Sequence, residues 1–176
     1  MRALVVSDIH ANYEALRRVP ENVDRVLCLW DLVDYGPNPK PCIDWVRDRK
    51  ALAVRGNHDN AVAFHVNCGC APPMREVSGE TRALMWDLLD PVDLDYPGSR
   101  PLTADVTLDG VRFRLVHATP SDPLHTYLRD GRIPEPAAEV RRREPQHARA
   151  VGVSERDART SPAVANGRPP WQSPHA

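Results

Sequence analysis

The chain has 176 residues, of which 41% are hydrophobic and 27% are charged, a composition typical of one globular domain. Its formal net charge of −1 gives no electrostatic reason to expect a nucleic acid or an anionic membrane as a partner. Its apolar runs are too short for a membrane span, and the first is too short for a secretory signal. The four cysteines are therefore expected to be reduced thiols of a cytoplasmic protein.

The first third of the chain alternates between apolar runs and segments with helical periodicity. The predicted strands are Leu4–Val6, Arg25–Leu29 and Ala51–Val54, and the predicted helices are Tyr13–Val19 and Pro41–Asp48. Repeated strand–loop–helix units are typical of a parallel sheet with helices on its faces. The sequence therefore predicts an α/β fold.

The next elements are a helix and a hairpin. Ser78 is expected to cap a helix that ends at Leu89 and buries Leu84, Leu88 and Met85. Two strands, at 103–108 and 111–116, flank the dipeptide Asp109-Gly110, which favours a tight β-turn.

The composition changes after Arg132. The remaining residues include no Leu, Phe or Tyr, and they are rich in Arg, Pro and Ala. Such a segment buries too little apolar surface to offset the entropy of ordering it. We therefore expect a folded domain over residues 1–132 and an irregular tail over 133–176.

Polar side chains follow four of the predicted strands, at the point where each strand ends. They are Asp8 and His10, Asp31 and Asp34, Asn57 with His58 and Asp59, and His117. Because the carboxyl ends of strands in an open α/β sheet meet in one crevice, we expect these side chains to lie close together. Carboxylate, imidazole and amide groups in one cleft suit a divalent metal site.

This series of motifs resembles the calcineurin-like metallophosphoesterase superfamily, and in particular its small bacterial phosphodiesterase-type members. The resemblance covers about residues 2 to 130, and the Gly56-Asn57-His58-Asp59 element is its most specific part. It implies a β-sandwich core flanked by helices. It also implies two divalent ions and the hydrolysis of a phosphoester by a hydroxide that bridges them.

The resemblance assigns a role to each candidate residue. Asp8 and His10 would bind the first ion, Asn57 and His117 the second, and Asp31 would bridge the two. His58 would face the substrate and Asp59 would orient it, so these two are the candidate catalytic residues. Asp34 would order the loop or hydrogen-bond a ligand histidine from outside the coordination shell.

The residue types also narrow the metal and the substrate. Mixed imidazole and carboxylate ligands favour Mn²⁺, with Fe, Zn or Ni as alternatives, over Mg²⁺ or Ca²⁺. Protein Ser/Thr phosphatases of this superfamily carry an arginine where this chain has Tyr35, between Asp34 and Gly36. This difference favours a phosphodiester or a small phosphorylated metabolite as the substrate, and the oligomeric state is left open.

Two departures from the family pattern motivate an alternative function. Trp30 stands where the family has a glycine, so its indole either plugs the pocket or folds into the core. The late Gly-His-x-His motif of the family is not found, so the C-terminal strands are expected to be missing or degenerate. The alternative is a catalytically impaired metal- or nucleotide-binding module, or a truncated fragment of a longer phosphoesterase.

A zinc site around the Cys68-Gly69-Cys70 motif is the less favoured interpretation of these cysteines. The spacing departs from Cys-x₂-Cys, and the sequence has no second pair. We therefore expect two ordinary loop thiols.

Overall fold

The computed structural model describes residues 1–126 and the backbone of residues 149–151. The predicted tail over 133–176 lies outside the described residues except for those three. Within these ranges, none of the helices combines the length and the apolar character needed to cross a membrane.

The first sheet is parallel, as the alternation of strands and helices predicts. It contains β1 (Ala3–Val6), β2 (Arg25–Cys28) and β3 (Leu52–Ala53), in the order β1-β2-β3. Two helices follow the first two strands: α1 (Tyr13–Leu16), which is shorter than predicted, and α2 (Pro39–Asp48). Asn12 caps α1 by accepting a hydrogen bond from the backbone N–H of Ala15 at 3.1 Å.

The second sheet contains the predicted hairpin. Strands β4 (Thr103–Leu108) and β5 (Val111–Val116) pair antiparallel around Asp109 and Gly110, which both have the positive φ of a tight hairpin turn. A third strand, β6 (Arg149–Val151), pairs parallel with β5. At these three residues the structure differs from the irregular tail that composition predicts.

The helices between β3 and β4 are less visible in the sequence. They are α3 (Asn57–Phe64), a short 3₁₀ turn (Pro72–Met74), α4 (Arg75–Leu88) and α5 (Pro91–Gly98). Helices α3 and α5 are not among the predicted elements, because α3 shows little apolar periodicity and α5 contains two prolines.

The prediction for α4 was wrong in its start and in its buried face. The helix begins three residues before Ser78, so that Ser78 lies within it and does not cap it. Met85 is buried as expected, but Leu84 and Leu88 are 40% and 46% exposed. The helix turns Ser78 and Arg82 inward instead.

Side chains of β2 and the following residues alternate between two apolar clusters. Leu27 and Leu29 face the second sheet, where they pack in one cluster with Leu115. Cys28 and Trp30 belong to the larger cluster under the helices. A two-sheet core flanked by helices, as the family resemblance implies, therefore places the ends of β1, β2, β3 and β5 near one another.

Candidate metal centre

Backbone hydrogen bonds join the loops that leave β1 and β2. The N–H of Asp8 donates to the carbonyl of Trp30 at 3.1 Å, and the N–H of His10 donates to the carbonyl of Asp31 at 3.0 Å. The hydroxyl of Ser7 also donates to the Trp30 carbonyl, at 2.7 Å. These bonds place the first two polar motifs side by side.

Both loops contain non-glycine residues in the left-handed region of backbone space. The φ angles are +51° at Asp8, +46° at His10, +50° at Trp30, +74° at Asp34 and +62° at Tyr35. Each residue in this conformation lowers the free energy of unfolding by about 1–3 kcal/mol. The conformation persists only where the surrounding structure enforces it. Backbone strain is therefore concentrated in the two loops that carry the candidate ligands.

Asp31 lies at the middle of the cluster and is 2% exposed. Its Oδ2 atom is 3.5 Å from Nε2 of His117 and 3.9 Å from Nε2 of His10. Its Oδ1 atom accepts the backbone N–H of His58 at 2.9 Å, which fixes the plane of the carboxylate. Ligand atoms of Asp8, His10 and Asp31 all lie within 4.8 Å of one another.

Hydrogen bonds determine which nitrogen of each histidine faces the cluster. Nδ1 of His117 lies 3.0 Å from the carbonyls of both Leu29 and Trp30, so this nitrogen carries the proton. Nδ1 of His10 lies 3.1 Å from the carbonyl of Val33, with the same consequence. In both rings Nε2 is therefore the nitrogen that lies nearer to Asp31.

Asn57 adds an oxygen to this arrangement. Its Nδ2 donates to the carbonyl of Cys68 at 2.7 Å, which orients the amide, and its Oδ1 lies 3.0 Å from Nε2 of His117. A carboxylate oxygen, an amide oxygen and an imidazole lone pair thus converge, and all three are electron-pair donors. Donor atoms of these kinds suit a divalent metal ion.

His58 lies beside this centre and is held by Asp34. Its Nδ1 is 2.7 Å from Oδ2 of Asp34, and its ring centroid is 5.0 Å from that of His10. Burial opposes the charged form of His58, but the hydrogen bond to Asp34 and the charges of Asp31 and Asp34 outweigh it and raise its pKa. The contact that orients His58 therefore comes from Asp34.

Asp59, predicted to orient His58, instead holds the loop that contains Asp31. Its Oδ1 accepts the backbone N–H groups of Leu32 at 2.9 Å and Val33 at 3.2 Å. Its Oδ2 accepts the N–H of Gly56 at 3.3 Å, and the side chain is fully buried. The carboxylate therefore accepts from three backbone donors in place of His58, and a catalytic role for Asp59 stays a prediction.

Trp30 is buried in the larger apolar cluster, where its ring centroid is 6.1 Å from that of Tyr96. Of the two positions that the sequence left open for the indole, the structure has the one in the core. Its Nε1 atom is buried without a hydrogen-bond partner. The backbone of Trp30 has the positive φ that would suit the glycine of the family pattern.

Helix α4 contributes three side chains that are not among the predicted site residues. Ser78, Thr81 and Arg82 all contact the carboxylate of Asp34. Their spacing of three and four residues places them on one helix face, and this was the available signal. Cys68 and Cys70 are free thiols and, within residues 1–126, are not part of a group of three possible metal ligands.

Comparison with known proteins places the chain in a family. The sequence model of the calcineurin-like phosphoesterase family matches residues 1–145. An uncharacterized protein of Methanocaldococcus jannaschii is 31% identical over 126 residues, which are 68% of this chain and 50% of that protein.

Two solved structures have a similar fold. A metallophosphoesterase from Sphaerobacter thermophilus is 32% identical with a TM-score of 0.63, and the match covers 79% of this chain and 55% of that one. A hypothetical protein from Pyrococcus horikoshii is 15% identical with a TM-score of 0.59, covering 75% of this chain and 60% of that one, and shares the fold.

The chain belongs to the calcineurin-like phosphoesterase family, as the motif resemblance indicates. The family takes its name from phosphoesterases, enzymes that act on phosphoester bonds. The chain spans about half the length of the curated relative that it matches.

Proposed function

We propose that this protein hydrolyses a phosphodiester or a small phosphorylated metabolite with two divalent cations, of which Mn²⁺ suits the ligands best. The residues that would hold the cations are Asp8, His10, Asp31, Asn57 and His117. When bound, such cations neutralise phosphate charge and lower the pKa of water toward neutrality.

The position of Asp31 is the observation that carries the proposal. Its Oδ2 atom is 3.9 Å from Nε2 of His10 and 3.5 Å from Nε2 of His117. A carboxylate close to two imidazole nitrogens can serve both halves of a dinuclear centre. Its burial keeps water from screening the charge.

His58 is the residue we assign to the leaving group. Asp34 holds its Nδ1 atom, so Nε2 is the nitrogen that would stabilise charge on the phosphoryl group or give a proton to the leaving oxygen. The side chain is 7% exposed, and this burial restricts the imidazole to one orientation.

Tyr35 supports the assignment to phosphodiesters. Its ring centroid lies 4.7 Å from that of His10 and 4.8 Å from that of His58, beside the proposed reaction centre. Burial, followed by the effect of Cys70 and Asp34, raises its pKa, so the phenol is uncharged at neutral pH. An uncharged ring at this position attracts a phosphomonoester dianion less than an arginine would, which favours the singly charged diester.

The test compares metal binding and hydrolysis in the wild type and in Asp31→Asn. Metal-free protein would be titrated with Mn²⁺ by calorimetry and then assayed on an aryl phosphodiester and on the matching monoester. We expect Mn²⁺-dependent hydrolysis that prefers the diester, and at least 100-fold less of it in Asp31→Asn, as removal of a charge at the reaction centre often costs about that much. Asp87→Asn, at an exposed position of α4, is the matched control and should behave as the wild type.

Each contrary result contradicts a different part of the proposal. Full activity in Asp31→Asn would remove Asp31 from the centre. Ions bound tightly without hydrolysis of either ester would instead identify a metal-binding module. Equal or faster hydrolysis of the monoester would overturn the assignment to phosphodiesters.

A further inference from the structure

One face of α4 is directed at the carboxylate of Asp34. The hydroxyl of Thr81 donates to Oδ1 at 2.5 Å, and the hydroxyl of Ser78 donates to Oδ2 at 3.0 Å. Nη2 of Arg82 lies 3.5 Å from the same Oδ2 and donates to the Ser78 hydroxyl at 2.6 Å. We call Ser78, Thr81 and Arg82 the α4 clamp.

The α4 clamp and the Asp34 carboxylate that it holds include polar and charged groups whose burial is unfavourable. Asp34 and Ser78 are 0% exposed, and Arg82 is 9% exposed. A charged group in such a position is tolerated only where it is paired and hydrogen-bonded. The same helix leaves Leu84 and Leu88 40% and 46% exposed, while Ser78 and Arg82 share its buried face with Met85.

The α4 clamp reaches His58 through one further contact. The Oδ2 atom of Asp34 that accepts from Ser78 also lies 2.7 Å from Nδ1 of His58. The backbone N–H of Tyr35 donates to Oδ1 of Asp34 at 3.1 Å, so both oxygens of this carboxylate are held. A shift of α4 would therefore move Asp34 and rotate the His58 imidazole with it.

We propose that Ser78, Thr81 and Arg82 are positioning residues, which set the orientation of His58 toward the leaving group by fixing the carboxylate of Asp34. This inference rests on the proposed hydrolytic function. The hydrogen bonds that form the α4 clamp lead to Asp34 and not to a candidate metal ligand. Substitutions in the clamp should therefore change how His58 gives its proton and leave metal binding unchanged. Misplacement of a reacting group by about 1 Å can cost of the order of 100-fold in rate.

The first test measures the rate as the leaving group changes. Thr81→Val removes the hydroxyl at nearly constant volume, and Thr81→Ser restores it. For aryl phosphodiesters in saturating Mn²⁺ we expect Thr81→Val to lower kcat about tenfold, with KM and the Mn²⁺ dissociation constant within about twofold of the wild type. The loss should grow as the leaving group becomes more basic, because poor leaving groups depend most on a correctly placed proton donor.

Matched variants separate positioning from a general effect on the fold. Thr107→Val makes the same change at an exposed position of β4 and should leave kcat unchanged. Thr81→Ser should recover most of the rate. A loss in Thr81→Val that is the same for every leaving group, or that appears equally in KM, would overturn the positioning role.

The second test needs no turnover. In metal-free protein, the Nδ1 proton of His58 is expected to give a low-field, slowly exchanging NMR signal because it lies between His58 and the buried Asp34. This signal should shift or broaden in Thr81→Val and stay in place in Thr107→Val. An unchanged signal in Thr81→Val would overturn the inference even if hydrolysis is found.

The two tests fail in different ways. If the wild type hydrolyses none of the esters, the proposed function fails, and the NMR comparison still decides whether α4 orients His58. If the wild type is active and Thr81→Val matches it in rate and spectrum, the α4 clamp has no such role.

Discussion

Gly56 lies directly against the carboxylate of Asp31. A methyl group added at Gly56 would overlap Oδ1 of Asp31 and approach Oδ2 of Asp59 to 3.2 Å. Both carboxylates are fixed by hydrogen bonds to backbone N–H groups, so neither can move without losing them. The absence of a side chain at Gly56 is therefore a condition for the position of the central candidate ligand.

We predict that Gly56→Ala weakens Mn²⁺ binding by more than tenfold and lowers the free energy of unfolding by about 1–3 kcal/mol, the usual cost of overpacking. Calorimetric titration and urea unfolding measure the two effects. Gly79→Ala is the control, because its new methyl group meets nothing within 4 Å on α4. Gly79→Ala should raise stability by about 0.5–1 kcal/mol. Wild-type metal affinity in Gly56→Ala would contradict the close packing.

Restoring the family glycine at Trp30 is expected to destabilise this protein. Trp30 is fully buried, so Trp30→Gly leaves a large cavity and should cost about 3–5 kcal/mol. Relief of the positive φ at this position recovers only about 1 kcal/mol. Trp30→Phe should cost less, since it keeps most of the apolar volume and removes the unpartnered indole N–H. Urea unfolding measures the stability of both variants. If Trp30→Gly were as stable as the wild type, the indole could not lie in the core.

Asp34 should make stability depend on pH in the acid range. Burial opposes its charge, but hydrogen bonds from His58 and Thr81 outweigh that effect and lower its pKa. A carboxyl whose pKa is lower in the folded state adds stability above its unfolded pKa of about 3.9 and loses it as the pH falls through the folded-state pKa.

Asp34→Asn should therefore be less stable than the wild type by about 1–3 kcal/mol near pH 6, and the difference should shrink below about pH 4. Urea unfolding of metal-free protein between pH 3 and pH 6 measures it. Asp87→Asn, at an exposed site, should show no such trend. A difference for Asp34→Asn that is constant over this range would show that its charge contributes nothing.

Asp59 and His58 are adjacent but should behave differently when substituted. Asp59→Ala leaves the buried N–H groups of Leu32, Val33 and Gly56 without their acceptor, so we expect a loss of about 3 kcal/mol or more. His58→Gln should change stability less and reduce hydrolysis much more. Thermal unfolding and the phosphodiester assay on both variants measure this contrast. Equal stability of Asp59→Ala and the wild type would contradict the structural role of Asp59.

The sequence alone was sufficient to predict the fold class, which the structure and the comparisons confirm. It also indicated the candidate site residues, whose roles stay predictions. Strands β1, β2, β3 and β5 are each followed by one of the polar motifs. This pattern can be recognised in the sequence because each strand and the motif after it are local features. The same locality explains the family resemblance, since each motif lies within a few consecutive residues.

Only the tertiary structure decided which partner each side chain takes. Whether Asp34 or Asp59 orients His58 depends on how α3 is rotated relative to the loop after β2. The sequence does not distinguish them, because Asp59 follows His58 directly and Asp34 lies three residues after Asp31. The inward face of α4 likewise follows from the position of Asp34, 44 residues away from Ser78, and not from its own apolar pattern. Contacts between distant residues depend on the packing of whole elements, which local periodicity does not encode.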